Sequence, residues 1–136
     1  MAEKIEIKIP ARPIFLRIVR LAVNHVCERI GFPQDEANNI TLAVDEACSN
    51  IIKHAYCGNS DEVIEATFQM YDDRLEVLLR DFGRKANPDK IKPRKLDDVR
   101  PGGLGVHLIK SVMDVVQYDT AVEHGNLLLL VKYITK

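Results

Sequence analysis

Residues 62–83 read EVIEATFQMYDDRLEVLLRDFG. Ile64, Ala66, Phe68 and Met70 alternate with Glu65, Thr67 and Gln69, the two-residue period of a strand with one buried and one wet face. Tyr71 to Arg74 supplies a turn, and Leu75 to Arg80 returns as a second strand that delivers Asp81-Phe82-Gly83 at its end. A two-stranded hairpin with one apolar face is not stable alone and needs a cover. The flanking segments offer one.

Upstream, Lys4 to Ile9 reads as a strand, because Ile5, Ile7 and Ile9 alternate with Lys4, Glu6 and Lys8. Pro10 and Pro13 open a helix running to about Ile30, with Phe15, Ile18, Val19, Ala22, Val26 and Ile30 at three- and four-residue steps, and Gly31 ends it. Pro33 starts a second helix, whose first turn carries Asp35 and Glu36 at the positive end of the helix dipole. That helix is expected to run to about Tyr56, with Ala37, Ile40, Val44, Ala47, Cys48, Ile51, Ile52 and Ala55 as its apolar stripe. Between Gly83 and Gly102 no period is visible. This stretch contains Pro88, Pro93 and Pro101 and is too long for an ordinary connection, which makes it a functional loop or a disordered one. A third helix follows from about Gly105 to Met113, then strands at Val115 to Thr120 and Leu127 to Ile134 around a turn at His124-Gly125-Asn126. The order strand, two helices, hairpin, loop, helix, hairpin describes an α+β protein, a two-layer α/β sandwich. It implies a mixed, mostly antiparallel sheet with helices on one face. The other sheet face is left wet or available for contact.

At 136 residues, residues 1–136 fit one domain, and 46% apolar residues suffice for a core without disulfide or metal staples. Nineteen basic and twenty acidic residues leave a net charge of -1, which argues against direct DNA binding and against an anionic membrane surface as partner. Cys27, Cys48 and Cys57 are odd in number and lack metal-ligand spacing, so reduced thiols are expected. His25, His54, His107 and His124 form neither a zinc pattern nor a nucleophile-activating set. With no signal-peptide pattern at the start and no apolar run approaching a membrane span, a cytoplasmic location is expected.

Three short elements carry possible chemistry. On the second helix Glu46 and Asn50 are four residues apart and share a face with Asn39 and Ala43, read as roughly opposite the apolar stripe. Alone, the pair reads as a solvated helix face. A carboxylate beside an amide oxygen also suits Mg²⁺, and the carboxylate can deprotonate a nucleophile. Asp81-Phe82-Gly83 at a strand end reads alone as a turn, yet its aspartate can accept a hydrogen bond from an exocyclic amine such as adenine N6 while Gly83 admits a flat ring. No H-R-D loop or V-A-I-K strand accompanies it, which separates it from the eukaryotic protein-kinase motif. Gly102-Gly103-Leu104-Gly105 precedes a helix and frees backbone amides for an anion. It is not a P-loop, since no Gly-Lys-Ser/Thr follows, nor a dinucleotide fingerprint, since Leu108 stands at the third glycine position. The loop before it carries Arg84, Lys85, Lys90, Lys92, Arg94, Lys95 and Arg100 against Asp89, Asp97 and Asp98, a solvated charge run or a basic lid over phosphates.

In order and spacing these elements resemble the N, G1 and G2 boxes of the GHKL (Bergerat-fold) ATPases, here Glu46 to Asn50, Asp81 to Gly83 and Gly102 to Gly105. Within that superfamily the strings DEACSNIIKHAY, residues 45–56, and GGLGVHLIKSVMD, residues 102–114, look like the stand-alone anti-sigma-factor serine/threonine kinases. The resemblance covers nearly the whole chain. It implies that Asn50 coordinates Mg²⁺, that Glu46 is the catalytic base, that Asp81 binds adenine, and that Gly83, Gly102, Gly103, Leu104 and Gly105 surround ATP or ADP. Arg100 is a candidate γ-phosphate contact. It further implies phosphorylation of a serine or threonine on an anti-anti-sigma partner of the STAS fold and sequestration of a sigma factor. Many members are homodimers through the sheet; the residues themselves leave monomer and dimer open. The superfamily's G1 pattern commonly has a second glycine where this chain has Lys85, read as a subfamily mark.

The alternative is a partner-switching module that binds nucleotide without transferring phosphate, since one pocket serves both. A histidine-kinase catalytic domain is expected to bring a dimerising helical hairpin and a phospho-acceptor histidine, and a topoisomerase-like, chaperone-like or mismatch-repair ATPase a transducer domain. Neither is expected here.

Overall fold

The computed structural model describes residues 2–85, 103–119 and 121–135, with residues 103–106 described only as part of a helix backbone. Its strands are β1 (Glu3–Pro10), β2 (Val63–Met70), β3 (Arg74–Asp81), β4 (Val115–Asp119) and β5 (Asn126–Tyr133). Its helices are α1 (Leu16–Ile30), entered through a short 3₁₀ turn at Pro13–Phe15, α2 (Gln34–Asn50), which continues as a π-helical segment at Ile51–Ala55, and α3 (Gly103–Val112). The strands form a five-stranded sheet in the order β1-β2-β3-β5-β4.

Every described pairing is antiparallel, which corrects the expectation of a mixed sheet. The physical reason lies in β5. The helical crossover from β3 to β4 makes those two strands parallel, but β5 returns between them, so the parallel pair never shares a ladder. Register carries the alternation read from the sequence across the whole sheet. Ile9 faces Ile64, Ala66 faces Leu79, Phe68 faces Val77, and Val77 faces Leu130, so one face becomes a continuous apolar layer. Phe68, Ile64, Leu75, Leu79 and Leu130 are fully buried beneath α1 and α2 residues such as Val19, Val23, Val26, Ile40 and Val44.

Three details differ from expectation. The buried face of α1 is Leu16, Val19, Val23, Val26 and Cys27, and Ile18 is 49% exposed. Apolar residues surround most of this helix, so periodicity could not select the face that α2 and the sheet cover. Ile5, on the expected inward face of β1, is 37% exposed, at the start of a strand that lies at the edge of the sheet. The second helix does not stay α-helical to Tyr56. After Asn50 the turn widens, and the Tyr56 N–H bonds the Ile51 carbonyl at 3.1 Å. Ile51 and Ile52 are both buried, continuing the adjacent buried pairs Ala43–Val44 and Ala47–Cys48 of α2. Such π segments commonly interrupt helices at functional sites.

Gly31 closes α1 as expected. Its φ of 107° is the left-handed region that a glycine enters without strain, and its N–H bonds the Cys27 carbonyl at 3.0 Å. Cys27 and Cys48 are buried and Cys57 is exposed, all as free thiols. Burial pushes the Cys27 and Cys48 thiols up to about 12, which leaves them inert.

Candidate functional site

Asp81 is the last residue of β3 and falls on the inward face behind Leu75, Val77 and Leu79. The alternation that buries those apolar side chains therefore buries a carboxylate, 1% exposed. It survives there because donors surround it. The Gly83 N–H bonds Oδ1 at 3.0 Å, and the Asn126 amide donates to Oδ1 at 3.0 Å and to Oδ2 at 3.3 Å. Burial raises the carboxyl above its ordinary value, opposed by the Asn126 side chain, the Gly83 N–H and the nearby Arg80 charge. Tyr56 and Tyr118 feel the same group: burial raises both phenols, and the Asp81 charge adds to it. A carboxylate so placed is a hydrogen-bond acceptor in a largely apolar setting, which suits an exocyclic amine.

The turn after Asp81 is stitched to the π segment. Tyr56 donates its hydroxyl to the Val63 carbonyl at 2.7 Å and accepts the Phe82 N–H at 2.8 Å. The Arg84 N–H bonds the Ala55 carbonyl at 2.7 Å. A Cβ on Gly83 would lie 2.4 Å from the Ala55 oxygen, so the close approach expected of a flat ring at Gly83 is made by the chain's own backbone. Gly125, with φ of 67°, meets the same turn from the other side, where a Cβ would come within 2.1 Å of the Asp81 carbonyl oxygen.

Asn50 ends α2 directly before the π segment, and Glu46 sits one turn earlier, half-buried. Their face is not opposite the apolar stripe, as the sequence reading had it, but on its border. Ala43, two turns before Asn50 on the same side, is fully buried, and so is Ala47 one turn before it, because α2 packs against both α1 and α3. Asn39, one turn further from the site, is exposed. The Asn50 Oδ1 atom is buried and has no hydrogen-bond partner among the described residues. An orphaned amide oxygen of this kind is rare and costs about 1–3 kcal/mol unless a ligand satisfies it. It is a hard, neutral oxygen donor, which fits Mg²⁺, an ion that takes few protein ligands and completes its shell with water and phosphate.

Gly103, Leu104 and Gly105 occupy the first turn of α3, which begins two residues earlier than expected. Gly102, Arg100 and the basic residues from Lys90 to Lys95 lie outside the described residues. Of the basic stretch, Arg84 and Lys85 are described, and the Lys85 ammonium donates to the Val122 carbonyl in the turn between β4 and β5. Among the described residues no group of three or more His, Cys, Asp or Glu side chains is placed to hold a metal. The structure thus joins Asp81 and Gly83 and ties them through Tyr56, Ala55 and Arg84 to the helix that carries Glu46 and Asn50.

Asn126 and Tyr56 were not recognised from sequence as part of this arrangement. Asn126 read as a turn residue and Tyr56 as the end of a helix. Only the register that sets Asp81 opposite Asn126, 45 positions away, brings the first into view.

The model of the histidine kinase-like ATPase domain family matches residues 9–132. The chain is similar to the serine-protein kinase RsbW of Bacillus cereus, at 36% identity over 143 aligned positions covering 98% of this chain and 87% of that protein. It is 35% identical to the serine-protein kinase RsbW of Bacillus mycoides with the same coverage. Against the serine-protein kinase RsbW of Oceanobacillus iheyensis it is 31% identical, covering 97% of this chain and 87% of that protein.

Proposed function

Because the chain belongs to the histidine kinase-like ATPase domain family, we propose that it is an ATP-dependent serine/threonine protein kinase and anti-sigma factor. It acts as one cytoplasmic domain, phosphorylates a STAS-fold anti-anti-sigma partner and sequesters a sigma factor when that partner is modified. Serine-protein kinases span nearly its whole length in the comparison. The observation that carries the site is the buried Asn50 Oδ1, one helical turn after Glu46 and without a hydrogen-bond partner among the described residues. No helix among the described residues is long and apolar enough to cross a membrane.

In this reading Asp81 accepts the adenine amine, and Gly102, Gly103, Leu104 and Gly105 lie along the phosphates, with Arg100 reaching the γ-phosphate. Asn50 holds Mg²⁺ through Oδ1. The ion, when bound, neutralises charge on the phosphate oxygens. Glu46 orients the hydroxyl of the incoming serine or threonine and takes its proton. The hydroxyl oxygen bonds to the γ-phosphorus as the bond to the β,γ-bridging oxygen breaks, and ADP leaves with that electron pair. Positioning and electrostatics supply most of the rate in such transfers.

The test is Glu46→Gln, which keeps the shape of the side chain and removes the base. Binding of Mg²⁺-ADP, followed by calorimetry, is expected to stay within a few-fold of the wild type. Transfer from γ-labelled ATP to a STAS-fold partner is expected to fall by roughly 10²–10⁴-fold. Transfer at the wild-type rate refutes the base assignment. A wild-type protein that binds nucleotide and partner but moves no label identifies a partner switch without chemistry.

A further inference from the structure

Asp81 and Asn126 are the buried polar side chains among the described residues, and they are bonded to each other across the β3–β5 ladder. The Asn126 Nδ2 faces three oxygens: Asp81 Oδ1 at 3.0 Å, Asp81 Oδ2 at 3.3 Å and the Arg84 carbonyl at 2.9 Å. An ionised carboxylate and a carbonyl only accept, so the amide must present its nitrogen and not its oxygen to them. One N–H goes to the Arg84 carbonyl. The other is shared across the carboxylate. A single amide therefore fastens both the side chain of Asp81 and the backbone just past Gly83.

We infer that Asn126 is a positioning residue that sets base selectivity, holding the Asp81 carboxylate in the one orientation and acceptor form that favours adenine over guanine nucleotides. The inference rests on the proposed nucleotide site at Asp81. Oδ1 takes two donors at 3.0 Å, Oδ2 takes the longer share of the Asn126 side-chain N–H, and the Asn126 backbone N–H also favours the ionised form; with about four acceptor sites on its two oxygens, the carboxylate retains room for one more donor. An acceptor pairs with the exocyclic amine of adenine and opposes the exocyclic carbonyl of guanine. A neutral carboxylic acid in the same place reverses that preference, since its O–H donates to a carbonyl. Burial favours the neutral acid here, and Asn126 is the first of the groups that oppose it. Removing the amide frees the Asp81 rotamer, releases the Arg84 carbonyl and weakens the hold on the acceptor form together.

The experiment compares Asn126→Thr with Asn126→Val. Both side chains are β-branched and of nearly one shape, suited to the start of β5, and they differ in one hydroxyl donor. Affinities for ADP and GDP, each with excess Mg²⁺, are measured by calorimetry on the full chain. The wild type is expected to prefer ADP, Asn126→Thr to keep most of the preference, and Asn126→Val to lose at least about tenfold of the ADP-to-GDP ratio. A merely structural Asn126 lowers both affinities in parallel and leaves the ratio unchanged, which overturns the inference. Equal loss of the ratio in Thr and Val also overturns it, because shape and not the donor is then responsible, as does a wild type that binds both nucleotides equally. If Asn126→Val does not fold, Asn126→Ser and Asn126→Ala make the same comparison in a smaller side chain. A wild type that binds neither nucleotide removes the site at Asp81 itself, and the inference with it.

Discussion

Asp81 shows how one residue read from a strand pattern acquires its chemistry. Its inward position follows from the two-residue period that also buries Leu79 and Val77, yet its ionisation depends on what meets it there. Because burial lifts the folded-state value above the ordinary 3.8, the folded protein binds more protons than the unfolded chain between those two values. The stability contributed by this group is then complete below the unfolded value and is lost as pH rises through the folded one. Urea unfolding of nucleotide-free wild type and Asp81→Asn at a series of pH values is expected to show the variant gaining on the wild type as pH rises above the ordinary carboxylate value of 3.8. A difference that stays flat over this range shows that Asp81 titrates at its ordinary value. Glu46 and Asn50, by contrast, were legible as a pair from their four-residue spacing. What spacing could not supply was that the Asn50 oxygen is buried, because burial depends on how the elements pack.

At the scale of elements, the π segment is the piece that joins the two halves of the site. The widened turn brings the Ala55 carbonyl against Gly83 and the Tyr56 hydroxyl against Phe82. The Ala55–Gly83 contact is backbone against backbone, so neither side of it can swing aside as a flexible side chain would. Gly83→Ala is therefore expected to destabilise the fold by about 1–3 kcal/mol, the usual cost of forcing extra volume into a packed contact. The check is the urea midpoint, with an unchanged m-value showing that the loss is one of stability. A midpoint equal to the wild type means that the π segment yields and that the stitch between the two elements is loose. None of this was visible in the helical pattern of residues 33–56, because an apolar stripe has nearly the same period whether or not one turn is widened.

Over the whole molecule, the site depends on a helix, a strand end and a turn contributed by distant parts of one chain, so ligand binding is coupled to global stability. Thermal unfolding with Mg²⁺-ADP at about 100 times its dissociation constant is expected to show roughly 2.7 kcal/mol of added stability. Asn50→Ala is expected to lose most of that gain while remaining folded without nucleotide, since removing the orphaned Oδ1 leaves no partner unsatisfied. Stabilisation of Asn50→Ala equal to the wild type refutes the metal role of Asn50.

The sequence by itself determined the strands, the helices and the face each strand buries, because periods of two and of three to four residues are local consequences of backbone geometry. It also determined the candidate residues Glu46, Asn50, Asp81 and Gly83, whose types and order are recognisable without coordinates. Tertiary structure decided the rest. The insertion of β5 between β3 and β4 made every described pairing antiparallel, the packing of the elements buried the Asn50 oxygen, and the register of β3 on β5 gave Asp81 its partner in Asn126. Each is a contact between segments far apart in the chain. Such contacts are selected by the shared burial of whole faces, a property of the assembled layers that no local period encodes.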